Sequence, residues 1–291
     1  MIEVKNVYKS YDKMEVLHGI SLVINPGEIH GLIGENSAGK TTLIKCIAGI
    51  YQTQKGEIQL DKEEIFDRPA SKIRIGYVAD SNEYIRSYNG AKMVRMYQNF
   101  YPKFDTQKFN QLNKVFNLPL EMSIRVLSKG QKMQLAIMLE IAKRPDYLIL
   151  DEPTSGLDPV AKEKFYQVLI KETEENNIGV LISSHNLYGL EKICDSVTIL
   201  HAGRVEHQMS LDSMKDVLVK LNAVFEGGAN PEIYNREDIL SINNVGSIYT
   251  LVMKDYSPEK EEELKKLGAG FIEKVNINLE ELYVTLEDNR K

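Results

Sequence analysis

Residues Leu32–Thr42 read LIGENSAGKTT. Gly34, Gly39, Lys40 and Thr41 fall on the spacing G-x-x-x-x-G-K-[ST], with Glu35, Asn36, Ser37 and Ala38 between the glycines. An apolar, strand-like segment, Glu28–Ile33, leads in. A helical pattern of Leu43, Ile44, Ile47 and Ala48 leads out and stops at Gly49. Strand, glycine loop and helix predict a phosphate-binding loop, because backbone N–H groups of the loop and the helix N-terminus converge on one anion. Lys40 adds a point charge for the β- and γ-phosphates. Thr41 offers a hydroxyl to Mg²⁺, and Thr42 continues the helix start.

Outward from this loop the chain is ordinary in composition. It has 291 residues, 27% charged and 43% apolar, which predicts a globular protein of one large or two modest domains. The net charge of −6 gives no reason to expect non-specific nucleic-acid binding. Cys46 and Cys194 lie in apolar helical contexts and read as small core residues in a reducing cytosol. No apolar run approaches the ~18 residues that would span a bilayer, and the start MIEVKNVYKSY lacks a signal-like pattern. If the protein works at a membrane, another chain is expected to provide the spans.

Toward the N-terminus, Ile2–Val7 and Val16–Ile24 read as strands joined by a polar turn near Ser10–Lys13, and Pro26-Gly27 turns into the loop strand. Gly56–Leu60 and Ile75–Val78 are further short strands. From Asn89 to about Lys143 the pattern is helical. Tyr147–Leu150 is a buried-strand run, and Pro159–Glu175 a helix with Asp158 as N-cap and Pro159 in first position. Val180–Ser183 is a strand ending in Ser184-His185, and Val197–Leu200 with Arg204–His207 predict a hairpin. Past about Lys220 the character changes: a strand over Ser247–Met253, a charged helix over Pro258–Leu267 and a closing helix over Leu279–Leu286 predict a small α+β extension, residues 221–291.

Two further stretches bear on chemistry. Tyr147–Leu150 delivers Asp151 and Glu152 to a strand's C-terminal end, where ligands of open α/β sheets gather. Asp151 is placed to hold Mg²⁺, and Glu152 to orient or deprotonate an attacking water. Leu127-Ser128-Lys129-Gly130-Gln131 opens the helix Lys132–Lys143. A serine and a glycine at a helix N-terminus can bind an anion, but taken alone the stretch reads better as a plain N-cap serine.

Order and spacing change that weighing, because the chain resembles the ABC (ATP-binding cassette) ATPase family over roughly residues 1–220. The family's LSGGQ signature is matched as LSKGQ, about twenty residues before YLILDE, followed by a D-loop, Ser155-Gly156-Leu157-Asp158, and a switch histidine, His185. Tyr11 sits where the family has its adenine-stacking aromatic, although it also reads as an ordinary turn tyrosine. The resemblance implies an α/β P-loop NTPase cassette: a RecA-like core, an antiparallel β subdomain and a helical subdomain at about 85–143. It also implies ATP and Mg²⁺ as ligands. Catalytic residues would be Lys40, Glu152 and His185. Nucleotide contacts would come from Tyr11, the loop Gly34–Thr42, Ser128, Gly130, Gln131 and Asp158, and metal contacts from Thr41, Asp151 and Asp80. Members sandwich two ATP molecules between two cassettes, so Gly34–Thr42 of one subunit would face Ser128 and Gly130 of another. The second cassette would be identical or merely related.

Departures from the family pattern are few. Asp80 in Gly76-Tyr77-Val78-Ala79-Asp80 stands where the family carries its Q-loop glutamine, and we expect it to take over that coupling role. Ser37 replaces a common glycine and needs a compatible φ. Lys129 replaces a signature glycine; it could add a cation near the γ-phosphate, but is expected to point into solvent, and Gln134 stands where arginine is common. Asn99–Asp105, NFYPKFD, and the ending Asn278–Tyr283, NLEELY, resemble cassettes that serve bacterial ABC-2-type exporters of bacteriocins or antimicrobial peptides. The expected function is ATP hydrolysis for a bacterial ABC transporter, an exporter of peptides, toxins or drugs. Its partner would be an integral membrane permease docked near Tyr84–Tyr101, on the cytoplasmic face of the cell membrane. The alternatives are a soluble ABC ATPase acting on ribosomes or nucleic acid, and a regulatory module that holds ATP without turnover. A single cassette, no sustained heptads between the motifs and the acidic charge weigh against the former. The presence of Glu152 and His185 weighs against the latter.

Overall fold

The computed structural model describes residues 1–82 and 87–289. The chain forms two compact units, Met1–Asn186 with Ile193–Gln208, and Leu187–Lys192 with Met209–Lys291.

In the larger unit, β1 (Ile2–Tyr11) and β2 (Met14–Ile24) make a hairpin, and β3 (Ile29–Gly34) runs into the glycine loop and α1 (Lys40–Ile47). β4 (Lys55–Leu60) and β5 (Glu63–Glu64) return beside the hairpin and complete an antiparallel sheet in the order β2-β1-β4-β5. After α2 (Pro69–Ile73) and β6 (Ile75–Val78) come three helices, α3 (Gly90–Phe100), α4 (Thr106–Phe116) and α5 (Lys129–Ala142). The remaining elements are β7 (Tyr147–Asp151), α6 (Pro159–Asn176), β8 (Gly179–Ser183), β9 (Ser196–His201) and β10 (Arg204–Ser210).

The core sheet has the order β10-β9-β3-β8-β7-β6. β3 pairs in parallel with β8 and β9, and β7 with β6 and β8. Every residue of β3, β7 and β8 is buried, the behaviour of a parallel sheet covered on both faces. Their sequences are apolar runs interrupted only by buried His30, Asp151 and Ser183 and by glycines. One hydrophobic cluster joins Ile2, Leu17 and Ile58 of the antiparallel sheet to Leu43 and Ile44 of α1 and to Leu32, Ile149 and Leu181 of the core strands. α1 is thus held between the two sheets, and each such aliphatic side chain contributes roughly 1.5–3 kcal/mol on burial. The register sets Leu32 and Asp151 each against Ser183, so β3, β7 and β8 end at one edge.

The helices start where side chains satisfy their free N–H groups. Asn89 accepts from Lys92 N at 2.9 Å, Asp105 from Lys108 N at 2.9 Å and Asp158 from Ala161 N at 2.9 Å. Behind α4, the buried Lys108 ammonium pairs with the Glu172 carboxylate of α6. Of the surface expected at Tyr84–Tyr101, Tyr84 lies outside the described residues, as do positions 85 and 86 of the helical subdomain.

The smaller unit contains α7 (Leu187–Glu191), α8 (Met214–Val217), β11 (Leu218–Phe225), β12 (Ile239–Val245), β13 (Ile248–Lys254), α9 (Pro258–Lys266), β14 (Ala269–Val275) and α10 (Leu279–Asp288). Its antiparallel sheet has the order β12-β13-β11-β14. Alternation on β11 sends Leu221, Ala223 and Phe225 into a core with Leu251 and with Leu264 of α9. α10 packs on α7, and Glu191 accepts from Leu279 N at 3.1 Å. Strand β11 runs across the boundary expected at 220, and β11, β12 and β14 had no counterpart among the expected strands. Among the described residues no helix is long and apolar enough to cross a membrane.

Candidate nucleotide site

The glycine loop is held by close backbone approaches. A Cβ on Gly34 would lie 2.4 Å from the Leu200 carbonyl oxygen of β9, which leaves room for glycine alone. Gly39 takes φ 100°, a left-handed value that glycine adopts without strain. Ser37 is found at φ 73°, so the serine occupies the glycine-like conformation, and its hydroxyl donates to the Asn36 carbonyl. Ala38 is buried, and its carbonyl accepts from Gly203 N at 3.1 Å.

Lys40 is nearly buried, and its ammonium donates to the carbonyls of Gly34 at 2.6 Å and Glu35 at 3.0 Å. Burial pulls its pKa down, while the Glu152 and Asp151 carboxylates push it back up. A cavity of about 280 Å³ is lined by Lys40, Thr41, Thr42, Asp151, Glu152 and His185, with Glu35, Asn36, Ser37 and Gly39 of the loop. The edge shared by β3, β7 and β8 is what brings these sequence-distant residues together.

Ser183 fixes the acidic pair. Its hydroxyl donates to Asp151 Oδ1 at 2.9 Å and accepts from Glu152 N at 3.0 Å. Sequence reasoning had treated Ser183 only as the end of a strand, and its place just before Ser184-His185 was the available signal. Met14 and Val16 of β2 also line the cavity and were not anticipated.

Glu152 stands at φ 49°. Its Oε2 accepts from His185 N at 3.3 Å. Its Oε1 lies 3.2 Å from His185 Nε2, an ion-pair separation without hydrogen-bond geometry, so this buried oxygen has no hydrogen-bond partner. Burial pushes the Glu152 pKa up, opposed by His185 and Lys40. A buried acceptor left open beside a buried ammonium is what a site built to receive a polyanion and a water would contain. Thr41 and Asp151 present the hard oxygen ligands that suit Mg²⁺.

Tyr11 is placed differently from the loop residues. It is 42% exposed, its Oη lies 3.4 Å from Thr42 Oγ1, and its ring packs edge-on against Tyr51 at 5.8 Å between centroids. Tyr11 is not part of the cavity lining. Nor is Asp80, so among the expected metal contacts the structure brings together Thr41 and Asp151.

A second cavity, of about 350 Å³, shares no lining residue with the first. Ser128, Gly130, Gln131, Gly156 and Asp158 line it, along with Gln134. Ser128 and Gln131 form a reciprocal capping box at the start of α5, with Gln131 N to Ser128 Oγ at 3.1 Å and Ser128 N to Gln131 Oε1 at 3.0 Å. A Cβ on Gly130 would lie 2.5 Å from the Gly156 carbonyl oxygen, so the two loops touch. Lys129, expected in solvent, is half exposed, and its ammonium also donates to Asp80 Oδ1 at 2.9 Å and to Ser155 Oγ at 2.8 Å.

A parallel core sheet with a glycine phosphate loop, an acidic strand end and a strand-end histidine defines a P-loop nucleoside-triphosphatase built as a cassette. Residues 17–155 match the family model described as ABC transporter. The chain is 33% identical over 284 residues to the ABC transporter ATP-binding protein YtrB of Bacillus subtilis (strain 168), covering 98% of this chain and 97% of that protein. The solved structure of an ATP-binding subunit of an ABC transporter superposes with a TM-score of 0.69 at 29% identity, covering 74% of this chain and 92% of that one. A dimeric cassette in a post-hydrolysis state bound to ADP and Pi gives a TM-score of 0.67 at 24% identity, covering 72% of this chain and 99% of that one, and shows the fold. The chain belongs to the ABC transporter family as an ATP-binding subunit, an ATPase that couples ATP hydrolysis to transport.

Proposed function

We propose that the chain is one half of a two-cassette motor that drives a separate integral membrane permease from the cytoplasmic face of a cell membrane. The observation that carries this reading is the pair of cavities with disjoint linings. Each is half of a nucleotide site, and two chains facing one another would complete both.

In the closed pair, the loop amides of Gly34–Thr42 cradle the triphosphate, and Lys40 leaves the Gly34 and Glu35 carbonyls for the phosphates. Ser128 and Gly130 of the facing chain present the N-terminus of α5 to the same anion. Bound Mg²⁺, held by Thr41 and Asp151, would supply charge neutralisation on the phosphates. Glu152 takes the proton of the attacking water, and His185, beside Glu152, orients on the γ-phosphate. Asp158 keeps its loop in place by capping α6, and Tyr11 swings from Thr42 to stack on adenine. Catalysis is positioning and electrostatic stabilisation, with little covalent work for the protein. The likeness of NFYPKFD and NLEELY to exporter cassettes supports export of peptides, toxins or drugs as the direction and cargo class.

Tagged Glu152→Gln with ATP and Mg²⁺, drawn from detergent-solubilised native membranes, tests the reading. The expected result is a trapped cassette pair with an integral membrane protein in stoichiometric amount. Soluble or ribosomal partners alone would overturn it in favour of a soluble ABC ATPase.

A further inference from the structure

Lys129 is the third residue of the LSKGQ stretch, and it is not among the residues lining the cavity that Ser128 and Gly130 line. Its stem lies over Gly156, where an added Cβ would come within 3.2–3.3 Å of the lysine's Cβ, Cγ and Cδ. Gly156 has φ 78°, and its lack of a side chain is what lets the stem cross. The ammonium then reaches two segments at once, Asp80 Oδ1 at 2.9 Å and Ser155 Oγ at 2.8 Å. Asp80 follows β6 of the core, Ser155 follows β7, and Lys129 starts α5 of the helical block. A neighbouring contact repeats the tie, since Asn82 Nδ2 donates to the Ala79 carbonyl at 2.8 Å and approaches Met133 Sδ of α5 at 3.7 Å.

The geometry points to Lys129 as a positioning residue, an ionic clasp to Asp80 and Ser155 that holds the start of α5 in register with the core so that Ser128 and Gly130 are preset for the facing chain's nucleotide. The inference rests on the two-cassette reading. It explains both departures from the family pattern together. A lysine in the signature and a carboxylate after β6 are the two halves of one contact, and neither would serve without the other. Without the clasp, the N-terminal turn of α5 must be ordered when the cassettes meet, and that ordering raises the ATP needed to close the pair.

The test uses full-length Glu152→Gln and reads the ATP concentration that half-converts monomer to dimer, by light scattering with Mg²⁺ present. Lys129→Ala and Asp80→Ala, each added separately, should raise that concentration roughly three- to fivefold, in the range of a half-exposed ion pair. The double alanine variant should be no worse than Lys129→Ala alone, since the lysine change already removes the contact that Asp80→Ala removes, along with the one to Ser155. Lys129→Arg and the exchange Asp80→Lys with Lys129→Asp should restore most of the loss, which a residue needed only for its bulk would not do. Both side chains are about half exposed, at 52% and 49%, so the variants should fold, and thermal melts check this. If Lys129→Ala shifts the midpoint and Asp80→Ala does not, the ion pair with Asp80 carries none of the effect and the clasp is overturned. Additive losses, or no rescue by the exchange, overturn it too. Failure of the parent Glu152→Gln chain to dimerise at any ATP concentration would instead sink the two-cassette reading.

Discussion

Glu152 combines three properties that a structural carboxylate would avoid: a left-handed φ of 49°, partial burial, and a buried oxygen without a hydrogen-bond partner. A non-glycine residue at such a φ costs of order 1 kcal/mol, and strain of this kind persists where surrounding contacts impose it, as Ser183 and His185 do here. Because burial raises the Glu152 pKa, the protonated form is favoured by folding. The sign for activity follows: the base is lost as pH falls through a value above the ordinary carboxylate range, so the acid limb of the ATPase rate should lie above that range. The sign for stability is opposite to that of a salt-bridged acid. The charged form opposes folding, so stability falls as pH rises from the unfolded pKa to the folded one. Nucleotide-free Glu152→Gln should therefore melt higher than the parent at neutral pH and lose that advantage below about pH 4, near the ordinary glutamate pKa. Equal melting of the two at both pH values would show that the carboxylate is not held against its solvation preference. Turnover in the same variant should drop by about 10²-fold or more, the usual contribution of a general base.

Among the elements, α4 and α6 are joined by the most exacting contact. Lys108 and Glu172 are 9% and 1% exposed at their side chains, and Glu172 also accepts from Asn176 Nδ2 at 3.0 Å. Removing one charge strands the other in a low-dielectric setting, while replacing both with apolar groups does not. Lys108→Met should destabilise the larger unit by about 3–5 kcal/mol in a denaturant melt. Lys108→Met with Glu172→Leu should recover most of it; a single variant as stable as the parent would mean that Glu172 finds water or another partner. Element recognition from sequence depended on which side of a strand is buried. β3, β7 and β8 were legible because buried strands are near-continuous apolar runs bounded by turn residues. β11, β12 and β14 were not: β12 and β14 are the two edges of the small sheet, and β11, although central, has its apolar residues interrupted by Lys220 and Asn222. β12 reads Ile239-Leu240-Ser241-Ile242-Asn243-Asn244-Val245 with no fully buried position, so hydrogen bonds to β13 set its pairing rather than any alternation it carries.

At the scale of the whole molecule the chain path matters more than the boundary. The smaller unit takes Leu187–Lys192 from between two core strands, and α7 there packs on α10 near the other end of the chain. A chain cut after Gln208 would keep every residue of both cavities but lose α10, leaving the apolar face that α7 shares with it bare. We expect such a truncation to bind ATP yet melt below the full chain and aggregate on warming. Unchanged melting would show that α7 needs no partner from the smaller unit.

What the sequence determined by itself was local chemistry in a fixed order: Gly34 to Thr41 as a phosphate loop, Asp151 and Glu152 at a strand end, Ser128 and Asp158 as helix caps, His185 after its strand. Each depends on residues within a few positions of one another, where backbone geometry and hydrogen-bonding reach are set by the neighbours alone. The tertiary structure decided what meets across distance. The parallel register of β3, β7 and β8 put the loop, the carboxylates and the histidine around one cavity, and the approach of α5 to the core set the half-exposed Lys129 on Asp80 and Ser155. Packing likewise placed six residues between β8 and β9 with the C-terminal unit. Such contacts form between segments whose own patterns are satisfied in many arrangements, so only the packed chain selects among them.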